Sequence, residues 1–135
     1  MTALKKLKCL YIQDNNFDDN GVFNFREFEN LHKINISQTR ITGNGIDYFP
    51  LENLEIMQAN FINLGNNGIQ KLTHAPKLRH LNVKGANFDD TALPYFEKMK
   101  NLEILDISYN KISSQKLLSF SDRMQNVRII SEYMK

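Results

Sequence analysis

The single thiol and the three imidazoles are the side chains of this sequence best suited to catalysis or metal binding. They are Cys9, His32, His74 and His80. A cysteine nucleophile needs a histidine base within hydrogen-bond reach, and a zinc site needs several such ligands that converge on one point. The elements that carry these residues therefore decide whether either chemistry is available.

An internal repeat divides the sequence into those elements. Five segments align without gaps over sixteen positions and begin at Leu7, Leu31, Leu54, Leu78 and Leu102, and an incomplete sixth begins at Val127. The starts are 24, 23, 24, 24 and 25 residues apart. A period this regular indicates a protein built from stacked, equivalent units.

Each unit has the same apolar pattern. Apolar residues recur at positions 1, 4, 6 and 11, which in the fifth unit are Leu102, Leu105, Ile107 and Ile112. Positions 4 and 6 share one face of a short strand, so positions 3, 5 and 7 face the other way. An apolar pair three residues apart follows, such as Ile69 and Leu72, and predicts one face of a short helix. Because helices need more lateral room than strands, the stack is expected to curve with parallel strands on its concave side.

Polar residues mark the expected start of each helix. Asp18, Thr42, Asp89 and Ser113 recur at position 12, where a side chain can accept hydrogen bonds from free helical N–H groups. The acidic pairs Asp18–Asp19 and Asp89–Asp90 also suggest calcium binding or acid–base chemistry. Their repeated position favours turn and helix capping instead.

The repeat pattern resembles a known family. LxxLxLxxNxL, with Asn at position 9, is the leucine-rich-repeat signature; Asn15 and Asn110 match it, Thr39 is a common substitute, and Ile62 and Ala86 depart from it. The resemblance implies a right-handed α/β solenoid of about five repeats plus a partial terminal one, with short helices on the convex side. In this family the position-9 side chain bonds to neighbouring backbone, which implies looser turns in the third and fourth units. The ITGNGI and FDDNGV turns resemble the longer, helix-bearing repeats of F-box partners and of bacterial effectors. The Asn, Lys and Phe usage is similar to that of effectors that Legionella-type bacteria deliver into host cells.

One domain is predicted over residues 1–135. Residues 1–6 are interpreted as the tail of an incomplete N-terminal repeat, and 127–135 as a partial C-terminal repeat with Glu132 at its sixth position. The chain is expected to be either a very short solenoid or a fragment of a longer one.

The repeat frame separates the residues considered first. Cys9 and His80 both fall at position 3 but three strands apart, about 14 Å at about 4.8 Å per strand. His32 falls at position 2 of its unit, and His74 in a helix-side return. Neither a cysteine–histidine dyad nor a metal site is therefore expected, and the sequence predicts no enzyme activity and no cofactor.

Composition limits the classes of partner. The formal net charge is only +2, whereas nucleic-acid binders concentrate Lys and Arg on one face. No apolar run is long enough for a membrane helix, and no signal peptide is evident. The single cysteine fits a reducing compartment. A protein partner is expected, rather than nucleic acid, membrane or a small-molecule substrate, in the cytoplasm or after delivery into a host cytosol.

The concave strand face, meaning the outward side chains at positions 3, 5, 7 and 8 of the units, is the predicted binding surface. It carries exposed aromatic and apolar residues together with amides and isolated charges, a mixture typical of protein interfaces. Alternatively, Phe61 folds over a neighbouring turn and the isoleucines only favour strand geometry. The predicted protein-binding residues are Tyr11, Gln13, Lys33, Asn35, Ile56, Gln58, Asn60, Phe61, His80, Asn82, Lys84, Ile104, Asp106 and Tyr109.

Two functional hypotheses follow. The first is a non-catalytic module that binds a folded protein through the concave strand face and inhibits or regulates an enzyme by covering its active site. The alternative is a substrate-recruiting or targeting segment of a larger multidomain effector or ligase.

Overall fold

A computed structural model describes residues 6–132 of the chain. The predicted N-terminal tail, apart from Lys6, and residues 133–135 of the predicted terminal repeat lie outside the described residues.

Six short strands form one parallel sheet in which the strand order follows the chain. The strands are β1 Cys9–Tyr11, β2 Lys33–Asn35, β3 Ile56–Gln58, β4 His80–Asn82, β5 Ile104–Asp106 and β6 Arg128–Ile130. In the first five, positions 3, 4 and 5 of one unit pair with the same positions of the next. The predicted strand placement is therefore confirmed for all five complete units.

The connections on the other side of the sheet are helical but of two kinds. The third to fifth units form α1 Gly65–Leu72, α2 Leu93–Glu97, which follows a 3₁₀ turn at Asp90–Ala92, and α3 Ser114–Arg123. The first two units have only 3₁₀ turns, at Phe25–Glu27 and Gly43–Tyr48. Gly43 and Gly45 weaken helix formation in the second unit. A β-carbon on Gly43 would overlap the carbonyl oxygen of Leu64, so this tight turn packs directly against the third unit.

The core lies between the sheet and the helices. Position 4 points into it and is at most 1% exposed at Ile34, Met57, Leu81 and Leu105. On the helix side, the rings of Phe88, Phe96 and Phe120 meet edge to face, with centroids 5.5 and 6.2 Å apart. Each fully buried side chain of this size stabilises the fold by about 1.5–3 kcal/mol. The apolar pattern of the repeats thus becomes one continuous core.

The last strand is displaced by one residue from its predicted register. Val127 packs against the core at the start of the unit, as predicted. Arg128, however, pairs with Ile104, and Ile129 pairs with Leu105. Ile129 therefore points towards the core, Ile130 points outward, and Glu132 takes position 7 rather than position 6. The unit is one residue short between its first position and its strand.

The acidic pairs stabilise turns, as predicted. The carboxylates of Asp18 and Asp89 accept hydrogen bonds from backbone N–H groups of their own turns, at 2.9 Å from Gly21 and Thr91. The bond from the Thr91 N–H, with a further bond from the Asn66 amide, holds the pKa of Asp89 below its ordinary value. The second acid of each pair reaches forward by one unit: Asp19 accepts from the backbone N–H of Thr42 at 2.7 Å and Asp90 from that of Ser113 at 2.9 Å.

The position-9 asparagine of the fifth unit links two turns. The Asn110 amide donates to the carbonyls of Val83, Ile107 and Ser108, and its oxygen accepts from the backbone N–H of Ala86 at 2.9 Å. Ala86 is itself fully buried. The fourth unit, which lacks its own asparagine, is thus held at this turn by the fifth.

Candidate functional site

The predicted binding residues lie on the outward side of the strands or directly after their C-terminal ends. Tyr11 is 52% and Phe61 48% exposed, and the other strand-face residues named from the sequence are half-buried, apart from Asp106. Ile56 and Ile104 lie two strands apart at position 3, with His80 between them. The structure therefore brings these residues together on one face; their role in binding stays a prediction.

Several amides of this face are engaged with the chain itself. Asn35 donates from Nδ2 to Gln58 Oε1 at 2.7 Å, and its own oxygen accepts from the Ser37 N–H. Asn60 Oδ1 accepts from the backbone N–H of Lys84 at 2.9 Å. Gln13 Oε1, by contrast, is buried without a donor among the described residues. The polar strand face is thus partly a ladder that joins units, which a sequence pattern alone does not distinguish from a free hydrogen-bonding surface.

Asp106 differs from its prediction as an accessible charge, because it is only 7% exposed. It points outward from β5, but one carboxylate oxygen accepts from the Ser108 N–H at 3.0 Å and the other lies 3.9 Å from Lys84 Nζ. Local hydrogen bonding and the lysine chain together cover it.

Position 8 of all five units adopts the left-handed backbone conformation. The φ angles are 61° at Asp14, 54° at Gln38, 58° at Phe61, 54° at Gly85 and 61° at Tyr109. In each unit the N–H of this residue donates to the position-7 carbonyl of the next unit, at 2.8–3.0 Å. The contact between units therefore imposes the conformation. It favours Gly, Asn and Asp, and it is unfavourable for a large aromatic residue.

Phe61 and Tyr109 form an aromatic pair across the intervening unit. Their ring centroids are 6.3 Å apart with an interplanar angle of 25°. Between them, at the same repeat position, lies Gly85, where a β-carbon would stand 2.6 Å from Phe61 Cδ1. The absence of a side chain at Gly85 is therefore what lets the Phe61 ring extend towards Tyr109.

Glu132 lies beside this aromatic pair, and Phe61, Gly85, Tyr109 and Glu132 together are called the aromatic corner. The Tyr109 hydroxyl donates to Glu132 Oε2 at 3.2 Å. That hydrogen bond and the negative charge of Glu132 raise the pKa of the Tyr109 hydroxyl above its ordinary value, and Asp106 adds to the effect. The aromatic pair therefore lies in a locally negative environment.

The other exposed aromatic of the face has the opposite electrostatic setting. Lys33 Nζ lies 5.7 Å from the centroid of the Tyr11 ring, within the range of a cation–π interaction. Tyr11 thus already carries a cation supplied by the chain.

The residues first considered for chemistry remain apart. Cys9 is exposed on β1 and His80 lies on β4, with two strands between them. Residues 6–132 contain no group of three or more His, Cys, Asp or Glu side chains placed to hold a metal ion. Within the same range, none of the helices has the length and apolar character that a membrane crossing requires.

Two members of the aromatic corner were not identified from the sequence. Gly85 has no side chain that could suggest a function, although a lone glycine among Asp, Gln, Phe and Tyr at position 8 of the units is a signal. Glu132 was assigned to the wrong position because of the shortened last unit.

Comparisons with known proteins agree with this architecture. Two family models, both described as leucine-rich repeat, match residues 101–122 and residues 3–25. No curated protein matches the sequence. Among solved structures, the fold is similar to that of an internalin, InlF, from Listeria monocytogenes strain 4b F2365, with a TM-score of 0.66 and 11% sequence identity. The match covers 98% of this chain and 44% of the internalin chain.

Leucine-rich-repeat domains are in general non-catalytic modules that present an extended surface to protein partners. The repeat period, the parallel sheet with one strand per unit, the family models and the internalin likeness all lead to the same architecture. The chain therefore has the fold of an α/β leucine-rich-repeat solenoid.

Proposed function

We propose that this chain is a non-catalytic module that binds a folded protein through its concave strand face and inhibits or regulates that protein by covering its active site. The observation that carries the proposal is the aromatic pair Phe61 and Tyr109, held side by side across Gly85.

The left-handed backbone at these two residues means that folding alone does not favour aromatic side chains there. A left-handed conformation costs a bulky L-residue about 1–2 kcal/mol, and Asn or Gly at the same place avoids most of that cost. Strain of this kind is concentrated at functional sites. Two large aromatics at strained, outward positions of one face therefore support an anchor for a partner.

The surroundings of the pair suit a protein partner. Half-buried Ile56, His80 and Ile104 supply a patch of mixed character along β3, β4 and β5. Aromatic anchors that are surrounded by residues able to exclude water are typical of binding hot spots. The two lysines of the face already interact within the chain, Lys33 with the Tyr11 ring and Lys84 with the Asp106 carboxylate. The face therefore lacks the clustered free cations that a nucleic-acid backbone requires.

The test is capture of a partner by the immobilised chain and by three variants. Phe61→Asn and Tyr109→Asn remove a ring but suit the left-handed backbone, so the fold is expected to persist. Phe23→Asn is the matched control, because Phe23 is an aromatic residue 62% exposed on the helix side. We expect a stoichiometric partner that is retained by the control and lost from both position-8 variants. Equal capture by all three variants would refute the proposal.

A second candidate function is the recruitment of a substrate for a catalytic domain of a larger protein. The chain spans less than half of the internalin chain that it matches. The two functions differ in their effect on the captured partner. Inhibition predicts that a saturating amount of the chain abolishes the partner's own activity, whereas recruitment predicts that the activity is unchanged.

The setting of the interaction is also a proposal. The Asn, Lys and Phe usage suggests a bacterial effector, and the structural likeness to a Listeria internalin is compatible with a bacterial source. The partner is then another bacterial protein in the cytoplasm, or a host protein reached after delivery into the host cytosol.

A further inference from the structure

We propose that the corner formed by Phe61, Gly85, Tyr109 and Glu132 binds an arginine side chain of the protein partner. This inference rests on the proposed function and specifies the chemistry that the partner must present at one place.

The first argument is electrostatic. The faces of aromatic rings attract cations, and the attraction grows when carboxylates stand beside the rings. Glu132 is exposed and contacts the Tyr109 hydroxyl through Oε2 alone. Within residues 6–132, Glu132 has no cationic partner and its Oε1 has no hydrogen-bond donor. Asp106 is a second carboxylate near Tyr109, and its Oδ2 lies 3.9 Å from Lys84 Nζ.

The second argument compares the two aromatic sites of the same face. Tyr11 carries Lys33 over its ring. Across the described part of the chain, no lysine or arginine lies over Phe61 or Tyr109. Tyr11 therefore has a cation from its own chain beside its ring. Phe61 and Tyr109 have none, and they lie beside a Glu132 carboxylate whose Oε1 has no donor among the described residues.

The third argument concerns shape. Gly85 lets the Phe61 ring extend towards Tyr109, whose hydroxyl contacts Glu132, so aromatic surface and a carboxylate lie side by side. A guanidinium group is planar, stacks on aromatic faces, and donates two parallel N–H bonds to a carboxylate. An ammonium group is compact and strongly hydrated, and it has no flat face to stack on a ring and no pair of parallel N–H groups. Arginine therefore fits this corner better than lysine.

The probe is Nα-acetyl-arginine amide, titrated into the isotopically labelled full chain and followed by NMR. The backbone amides of Phe61, Gly85 and Tyr109 report on the corner. Nα-acetyl-citrulline amide has the same planar shape without the charge, and Nα-acetyl-lysine amide has the charge without the plane. We expect saturable shifts with the arginine probe at these three amides, and binding at least about fivefold weaker with the other two probes.

Two variants separate the corner from general electrostatics. Glu132→Gln keeps the size of the side chain and is expected to weaken arginine binding about fivefold. Glu97→Gln is the matched control, because Glu97 is paired with Arg123 on the helix side and its loss leaves the corner unchanged. Equal binding of arginine and citrulline, or of wild type and Glu132→Gln, would overturn the inference. Stronger binding of lysine would overturn the assignment to arginine.

Failure of this inference is distinguishable from failure of the proposed function. If Phe61→Asn abolishes partner capture while the arginine probe does not bind, the concave strand face binds a partner by other chemistry. If the probe binds as expected but partner capture survives in Phe61→Asn, the corner is a cation site that the partner does not use, and the proposed function is wrong.

Discussion

The ring of Phe61 lies over Gly85, at a place where even a single added carbon atom would come within 2.6 Å of it. This contact joins the third unit to the fourth and directs the ring towards Tyr109 in the fifth. The shape of the candidate site therefore depends on a residue that contributes no side chain to it.

Gly85→Ala is expected to displace the Phe61 ring and to lower the free energy of unfolding by about 2–4 kcal/mol, since it combines a left-handed alanine with overpacking. The matched control is Gly65→Ala. Gly65 is also left-handed, with φ of 67°, but an added β-carbon there meets nothing closer than Asn87 O at 3.9 Å. Its loss is expected to be only about 1–2 kcal/mol. Urea unfolding measures both; equal losses would contradict a steric role for the ring.

Gln38→Asn is expected to raise the free energy of unfolding by about 0.5–1 kcal/mol, because Asn tolerates the left-handed φ of 54° better than Gln does. The matched control is Gln70→Asn, the same chemical change on the exposed side of α1. Because Asn has a lower helix propensity than Gln, this variant is expected to lower the free energy of unfolding by about a few tenths of a kcal/mol. Thermal or urea unfolding checks the pair. Destabilisation by Gln38→Asn would show that position 8 is not strained in this unit.

Asn110→Ala is expected to cost about 2–4 kcal/mol, because it leaves the Ala86 N–H and the Val83 carbonyl without their partner across the boundary between units. Asn15→Ala removes the same side chain at the same repeat position. Among residues 6–132, however, the Asn15 amide donates only to the carbonyls of Ile12 and Gln13 in its own turn, so its loss is expected to be about 1 kcal/mol. Hydrogen exchange of the Ala86 amide adds a local measurement: we expect it to accelerate in the first variant and not in the second.

The ionisation of Tyr109 links the candidate site to pH. Its pKa is raised in the folded chain by the hydrogen bond to Glu132, so the neutral hydroxyl is the form that the fold stabilises. This contribution is fully present below the unfolded tyrosine pKa of about 10 and is lost as the pH rises through the higher folded value. Carbon-13 NMR of the Tyr109 ring over alkaline pH measures it. Glu132→Gln is expected to lower the pKa of Tyr109, and no change in that variant would disprove the role of Glu132.

The strands and the core were predictable from the sequence because the apolar period determines both. Ile34, Met57, Leu81 and Leu105 occupy the core position that their spacing predicts. The sixth strand was misplaced by one residue because Ile129 and Ile130 are adjacent and equally suited to the core. The sixth unit is one residue short between Val127 and its strand, and this places Ile129 in the core. The period of the earlier units does not predict the missing residue.

The sequence predicts which face of the sheet carries the candidate site, but it does not predict how the side chains contact one another there. The exposed position of Tyr11 follows from strand alternation, whereas Phe61 lies beyond its strand, at position 8. The stacking of Phe61 on Tyr109 does not follow from alternation, since it depends on left-handed angles imposed by hydrogen bonds between units and on a glycine 24 residues from either ring. Asp106 is likewise buried beside contacts to Ser108 and to Lys84 of the neighbouring unit, which strand alternation does not indicate.

Carboxylates and hydroxyls that bond to the backbone of the next unit indicate where the chain can vary in length. Asp19 bonds to Thr42, Asp90 to Ser113 and the Ser37 hydroxyl to the backbone of Asn60, each across 23 residues. The same bond also recurs at a different spacing, since the Ser37 hydroxyl accepts from the Asn60 N–H 23 residues away and the Ser108 hydroxyl accepts from the Glu132 N–H 24 residues away. A difference of one residue in unit length is therefore absorbed between the turns, while the bonds between neighbouring units are kept. The length of each unit is thus free to vary by a residue without loss of the contact that joins it to the next.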